Sequence, residues 1–350
     1  MIGIAITAII SAVVMITVVL LIRYFVGKQI SKMAFMLIWA IITIRLLLPV
    51  SFESRLSIWN LVNNPVDYTQ ENLLGIYHAA HGINWVNLLL ILWGGGALVF
   101  GFYFFINHTR FRKNIRDALP ITCEYILEWQ KHNSTFRSIS IKKSDRITSP
   151  LTFGVLRPTI ILPNIVELYE EEELKHILAH EYVHIRRFDY VSKIVLAITL
   201  SIHWFNPFVW LMYILANRDI ELSCDEIVLR ALDEKSSTNY ALTLINAADN
   251  QNHLALQLQS GFAKHALEER VKAILDTKKK SNVGATFAIS LIVIVLLVFA
   301  EPVAARINHR VRLREDGILV INGQEIHLDD HRNEHGTPII DMREISSVED

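Results

Sequence analysis

From Ile2 to Ile22 the chain reads IGIAITAIISAVVMITVVLLI, an apolar run with no charge before Arg23. At about 1.5 Å per residue such a run covers a hydrocarbon core of about 30 Å, so it predicts a membrane helix rather than a soluble fold. It does not read as a cleaved leader, because no basic residue precedes it and no small-residue cleavage site follows. Three further runs are long enough to be counted with it: Met33 to Val50, Trp85 to Ile106 and Ala285 to Ala300. Composition agrees, since 52% of residues are hydrophobic and mean hydropathy is +0.32, which excludes an ordinary soluble enzyme. Gly94, Gly95, Gly96 and Gly101 in the third run predict close approach of a neighbouring helix. Arg45, near the end of the second, is expected to snorkel to the headgroups.

Basic residues in the short loops set the expected orientation. Arg23, Lys28 and Lys32 follow the first span, Arg110, Arg112, Lys113 and Arg116 follow the third, and Lys278, Lys279 and Lys280 precede the fourth. These ends belong in the cytoplasm, which leaves the N-terminus, the 51–84 loop and the tail outside. Between two cytoplasmic anchors the apolar segment Val191 to Leu215 cannot cross once. Asn206-Pro207 breaks it near the middle, as expected of a re-entrant or membrane-associated pair of helices. The net charge of −1 points to no particular partner and gives no sign of direct nucleic-acid binding. Cys123 and Cys224 both fall in the expected cytoplasmic part, so no disulfide framework is implied.

The chemistry concentrates in Glu170 to Tyr190, EEEELKHILAHEYVHIRRFDY. Acidic residues at its start and Arg186 and Arg187 near its end suit a helix dipole. On that helix His180 and His184 project from one face, spaced to reach a single metal ion, with Glu181 beside the first. Taken alone the stretch also fits an amphipathic helix with two incidental histidines. Read as a zincin helix, it has two neutral histidines holding Zn²⁺ and Glu181 acting as the base. A second helical stretch, Asn217 to Glu226, carries Glu221 and Asp225 on one face: Glu221 can be the third ligand, and Asp225 can accept the outer N–H of a ligating histidine. Cys224 is expected to be a small buried residue behind the site, and His203 a buried or interfacial histidine.

Four stretches in this order resemble the BlaR/MecR-type integral-membrane zinc metallopeptidases, whose founding members are β-lactam sensor-transducers. They are SPLTFG with RPTIILP (149–163), HEYVHIRRFD (180–189), HWFNP (203–207) and RDIELSCDE (218–226). With the spans, the resemblance covers about residues 1 to 300. It implies one Zn²⁺ per chain on His180, His184 and Glu221 with Glu181 as catalyst. It also implies a cytoplasmic protein substrate, such as a transcriptional repressor or the enzyme itself, and a multi-pass location in a bacterial-type cell membrane. A homodimer is left open.

The expected fold is therefore mainly α and membrane-embedded. Residues 1–106 carry three transmembrane helices, and 107–280 form a cytoplasmic gluzincin-like α+β metallopeptidase domain that includes 191–215. A fourth transmembrane helix follows at 281–301, then an outside tail at 302–350. Within the catalytic part, Ile121 to Trp129 predicts a helix, and Ser138 to Lys142, Leu151 to Gly154 and Thr159 to Leu162 predict strands. In zincins such a sheet offers an edge strand to substrate backbone. Asn239 to Leu275 predicts helix with a loop at 250–259. In the tail, Asn322-Gly323 between apolar runs predicts a β-hairpin. Fifty residues there cannot hold a penicillin-binding fold, and the single Ser-x-x-Lys match, Ser140 to Lys143, falls on the cytoplasmic side, so the resemblance does not extend to β-lactam sensing. Two other readings of the chain are a membrane quality-control or prenyl-protein peptidase and a non-catalytic signalling scaffold with a structural zinc site.

Overall fold

The computed structural model describes residues 2–27, 30–48, 85–121, 123–133, 137–164, 169–232, 236–252, 257–276, 311–313, 318–321 and 324–327, with a few isolated positions between 286 and 293. They belong to two compact units, one of Ala8–Leu48 with Ile83–Ile292, the other of Met1–Thr7, Pro49–Gly82 and Val293–Asp350.

In the larger unit, α1 (Ile2–Val26, its first residues belonging to the other unit) and α2 (Lys32–Leu47) come first, followed by α3 (Trp85–Arg116). Among the described residues, Asn87–Lys113 is the one stretch that is long and apolar enough to cross a membrane by length and composition; Ile9–Phe25 is a shorter apolar helix. The 51–84 loop and most of the expected fourth span, 285–300, lie outside the described residues. α3 continues past Ile106 because nothing in its polar end breaks a helix, and its last turn carries Lys113 and Arg116, where the dipole favours cations. Two expectations about the spans are corrected. Arg45 does not snorkel: it is buried, and its Nε donates to Ser11 Oγ of α1 at 3.3 Å. Of the four glycines in α3, only Gly96 meets a close neighbour, and that neighbour is the indole of Trp204 rather than a helix backbone.

A four-stranded sheet of order β1-β2-β4-β3 follows, from β1 (Leu119–Pro120), β2 (Ser140–Ser144), β3 (Leu151–Phe153) and β4 (Thr159–Pro163). β2 and β4 run parallel, while β1 and β3 pair antiparallel with β2 and β4. The short helix α4 (Glu124–His132) begins three residues later than expected, and β2 is shifted towards Ser144. Burial explains both. Ile121 and Ile139, outside these elements, join Ile126 and Ile141 in one core with Ile160 and Leu162, so apolar pattern alone set the ends too early.

Against this core packs α5 (Glu171–Arg187), through Leu174, Ile177, Leu178 and Ile185. Glu170 caps it with a reciprocal capping box, in which the Glu173 carboxylate accepts from the Glu170 amide. The sheet thus takes one face of the helix, and His176, His180 and His184 occupy another, all three buried. Phe188 ends α5 in the left-handed conformation, φ 59° and ψ 35°, and α6 (Asp189–Ile202) starts at the next residue. Arg137 holds this corner: its guanidinium lies 3.9 Å above the Phe188 ring and donates to the carbonyls of Val155 and Ile185. The apolar segment 191–215 is divided between α6 and α7 (Pro207–Ala231), with Asn206 capping α7 and Pro207 in its first turn. α8 (Ser236–Asn252) and α9 (Gln257–Leu275) close the unit, with Tyr240 and Ala241 packed on Val228 and Ile274.

α7 is also tied to the α1–α2 corner. Arg23 makes a two-pronged ion pair with Asp219 at 2.7 and 2.9 Å, Trp39 Nε1 donates to the same carboxylate at 2.8 Å, and Glu226 accepts from Ser31 Oγ and the Lys32 amide. Asp219 is fully buried. Asp219→Ala strands a largely buried guanidinium, so it is expected to cost about 3–5 kcal/mol and to lower Tm by many degrees in a thermal melt; a shift below one degree would show the pair to be energetically idle.

In the smaller unit β5 (Val311–Leu313), β6 (Ile318–Ile321) and β7 (Gln324–His327) form an antiparallel sheet in that order. β6 and β7 pair with Ile321 opposite Gln324, and β5 adds a strand that the apolar pattern does not signal.

Candidate metal centre

On the buried face of α5 the Nε2 atoms of His180 and His184 lie 3.1 Å apart. Glu221 Oε2, from α7, lies 3.5 Å from the first and 3.6 Å from the second. Donors about 2.0–2.1 Å from a tetrahedral zinc are separated by about 3.3 Å, and all three of these edges fall near that figure.

The hydrogen bonds on the outer edges of the rings fix which nitrogen is bare. Tyr240 OH donates to Asp225 Oδ1 at 2.7 Å, so its oxygen is left to accept from His180 Nδ1–H at 2.9 Å. Asp225 Oδ1 itself lies 3.3 Å from that Nδ1. His184 Nδ1–H donates to Asp189 Oδ2 at 2.5 Å. Both rings therefore turn lone pairs on Nε2 towards each other in a buried place, an arrangement that repels unless a cation sits between them. Burial alone would lower the pKa of both histidines, yet Cys224 and Asp225 around His180, and Asp189, Cys224 and Glu221 around His184, hold them well above the usual imidazole range. The pocket is built to accept positive charge, and its donor set fits Zn²⁺.

Glu221 is aimed by a residue that sequence reasoning missed. Lys193 Nζ, on α6, donates to Glu221 Oε1 at 3.0 Å, which leaves Oε2 for the imidazole side. Burial would raise the Glu221 carboxyl, but Lys193 and the two histidines hold it well below the ordinary carboxylate range. Cys224 is a competing donor, since ligand atoms of His180, His184 and Cys224 all lie within 4.8 Å of one another. Its closest contacts, however, fall on the far side of His180: the thiol donates to the His180 carbonyl at 3.3 Å and sits 3.4 Å from Nδ1. The carboxylate, not the thiol, faces the Nε2 pair. His203 is buried away from this cluster, with Nδ1 3.1 Å from the Thr199 carbonyl.

Glu181 is buried on the neighbouring side of α5 and accepts a hydrogen bond on Oε2 from Thr152 Oγ1 at 2.7 Å. Thr152 belongs to β3, an edge strand of the sheet, so the edge that sequence left unassigned is the one beside the site. Leu151 and Thr152 line a cleft of about 660 Å³ together with His180, Glu181, His184 and Glu221. Arg270 of α9 closes another wall: it grips Asp225 with two bonds of 2.8 Å and brings Nη2 to 3.3 Å from His180 Nε2. Burial would raise the Asp225 carboxyl, but Arg270 keeps it far below the normal range. Arg187 completes the frame by bonding both Asp189 oxygens, Ser223 Oγ and the Ile220 carbonyl. Asp189, Lys193, Thr152, Tyr240 and Arg270 were missed; of these Asp189, in the HEYVHIRRFD run, and Thr152, in SPLTFG, lay inside motifs already singled out.

This arrangement, a small sheet packed on a helix whose histidines converge on a carboxylate from a second helix, is that of a metallopeptidase-type site. The chain belongs to the family described as BlaR1 peptidase M56, which matches residues 4–274, and is a BlaR/MecR-type protein. It is 37% identical over 109 residues to the regulatory protein BlaR1 of Bacillus licheniformis, a stretch that is 31% of this chain and 18% of that protein. It is 25% identical over 210 residues to the methicillin resistance mecR1 protein of Staphylococcus aureus, covering 56% of this chain and 35% of the relative. The aligned stretches therefore span about a third or less of these relatives.

Proposed function

We propose that the chain is a membrane-embedded zinc metalloendopeptidase that hydrolyses peptide bonds in a cytoplasmic protein, a transcriptional repressor or its own cytoplasmic segment, as a step in transmembrane signalling. The observation that carries this reading is the convergence of His180 Nε2, His184 Nε2 and Glu221 Oε2 beside the carboxylate of Glu181. Zinc held by His180, His184 and Glu221 would supply a Lewis acid for the substrate carbonyl and water acidified towards neutrality. Glu181 is the general base. Thr152 restrains one of its oxygens, so the proton taken from the attacking water has a fixed destination. β3 is the docking edge: it ends the sheet among the described residues, and its Leu151 and Thr152 line the cleft, where an extended substrate can add as a further strand. Asp189, and Tyr240 with Asp225, keep both imidazoles in the tautomer the metal requires. In the proposed four-span layout, α5 and the sheet lie on the cytoplasmic side, where a soluble repressor can reach the cleft.

Thr152→Val removes one hydrogen bond to a charged group, worth about 1.5 kcal/mol, so kcat is expected to fall about tenfold while KM and metal content stay unchanged. Unaltered kcat would remove Thr152 from the mechanism. The reading as a whole is tested by comparing new protein N-termini in cells carrying wild-type or Glu181→Gln protein. One cut regulator supports the proposal, many degraded proteins indicate a quality-control peptidase, and none indicates a scaffold.

A further inference from the structure

A second cleft, of about 600 Å³, opens between the basic end of α3 and the sheet. Arg112, Lys113 and Arg116 reach it from the helix, and Lys142 reaches it from β2, while Phe153 and Ile161 contribute its apolar surface. No Asp or Glu lines it among the described residues. The neighbouring carboxylate of Asp117 is turned to Arg146 at 3.0 Å, so it does not neutralise the four cations. The cations alone would be an unremarked flank of a membrane helix. Lys142 sits on a strand distant in sequence, and its convergence on the same concavity makes this a built site.

Its location selects the ligand. Above the cleft α3 exposes Leu88, Leu92, Val99, Phe102 and Phe105, a surface suited to acyl chains. Arg112 follows Phe105 by seven residues, about 10 Å along the helix axis, which carries it from the hydrocarbon edge through a headgroup layer about 5–8 Å deep. A phosphate monoanion with an apolar tail satisfies both surfaces at once; a soluble phosphate satisfies only the cations. We propose that this cleft binds the headgroup of an anionic phospholipid of the inner leaflet, with the acyl chains lying along α3. This rests on the membrane placement of α3 but not on proteolysis.

The test uses the full chain carrying Glu181→Gln, in a zwitterionic detergent, with native mass spectrometry reading retained lipid. Phosphatidylglycerol is expected to be held about tenfold more tightly than phosphatidylcholine, and Arg112→Gln with Lys142→Gln to abolish that preference. The charge-keeping exchange Arg112→Lys with Lys142→Arg should preserve it, which separates loss of charge from loss of fold. Arg110→Gln, on the same helix but outside the cleft, should leave it unchanged. Equal retention of the two lipids would overturn the proposal. So would a loss with Arg110→Gln as large as with the double variant, or displacement of phosphatidylglycerol by an equal concentration of glycerol 3-phosphate. Because cleavage is disabled throughout, the result stands apart from the peptidase reading.

Discussion

Glu181→Gln protein is expected to keep its zinc and lose turnover by about 10²–10⁴-fold, because the amide retains the shape and the Thr152 contact but cannot take a proton. Metal analysis on the purified protein and cleavage of a candidate substrate, or of the chain itself, read the two halves separately. The rest of the site does not depend on this carboxylate, since His180 and His184 are oriented by Tyr240 and Asp189. Turnover within tenfold of wild type would mean that the base lies elsewhere, and the reading of the cleft as a peptidase centre would have to be rebuilt around another group. Loss of metal together with activity would instead make Glu181 a structural residue.

The second large effect separates Glu221 from Cys224. Glu221→Ala is expected to weaken zinc binding by more than the roughly 10–100-fold typical of losing an outer partner, whereas Cys224→Ser should leave affinity within about tenfold. Competition against a chromophoric chelator measures both. The reverse ranking would make the thiolate the ligand and Glu221 its neighbour. Acid should also expel the metal. The acidic groups around the two rings favour their charged forms, so protons compete with zinc for Nε2 and metal uptake releases them. Affinity therefore rises as pH rises and falls on acidification, and a titration showing no proton release on zinc addition would contradict that assignment.

What the sequence made legible here is periodic and local. The i, i+4 spacing of His180 and His184, the Glu221/Asp225 pair and the helix break at Asn206-Pro207 are all patterns within a few turns, and backbone geometry converts them directly into position. The hydrogen bonds that orient them are of another kind. Asp189 reaches His184 only because Phe188 adopts a left-handed turn that its side chain does not advertise, and that corner is held by Arg137, far back in the chain. Tyr240 and Arg270 arrive on helices 60 and 90 residues beyond His180; no spacing rule connects them. Arg45 illustrates a bias in the other direction. A lone arginine near the end of an apolar run invites a headgroup contact, but Ser11 on the adjacent helix gives it a closer partner inside. β5 was invisible for a simpler reason, since three residues are too few to display alternation.

α7 presents Asp219 and Glu226 to the α1–α2 corner and, from different sides of the same cylinder, Glu221 and Asp225 to the histidines. A helix is stiff in torsion, so it cannot roll to suit one set of partners without swinging the other set out of register. Both sets of carboxylates therefore depend on one rotational setting of a single continuous element.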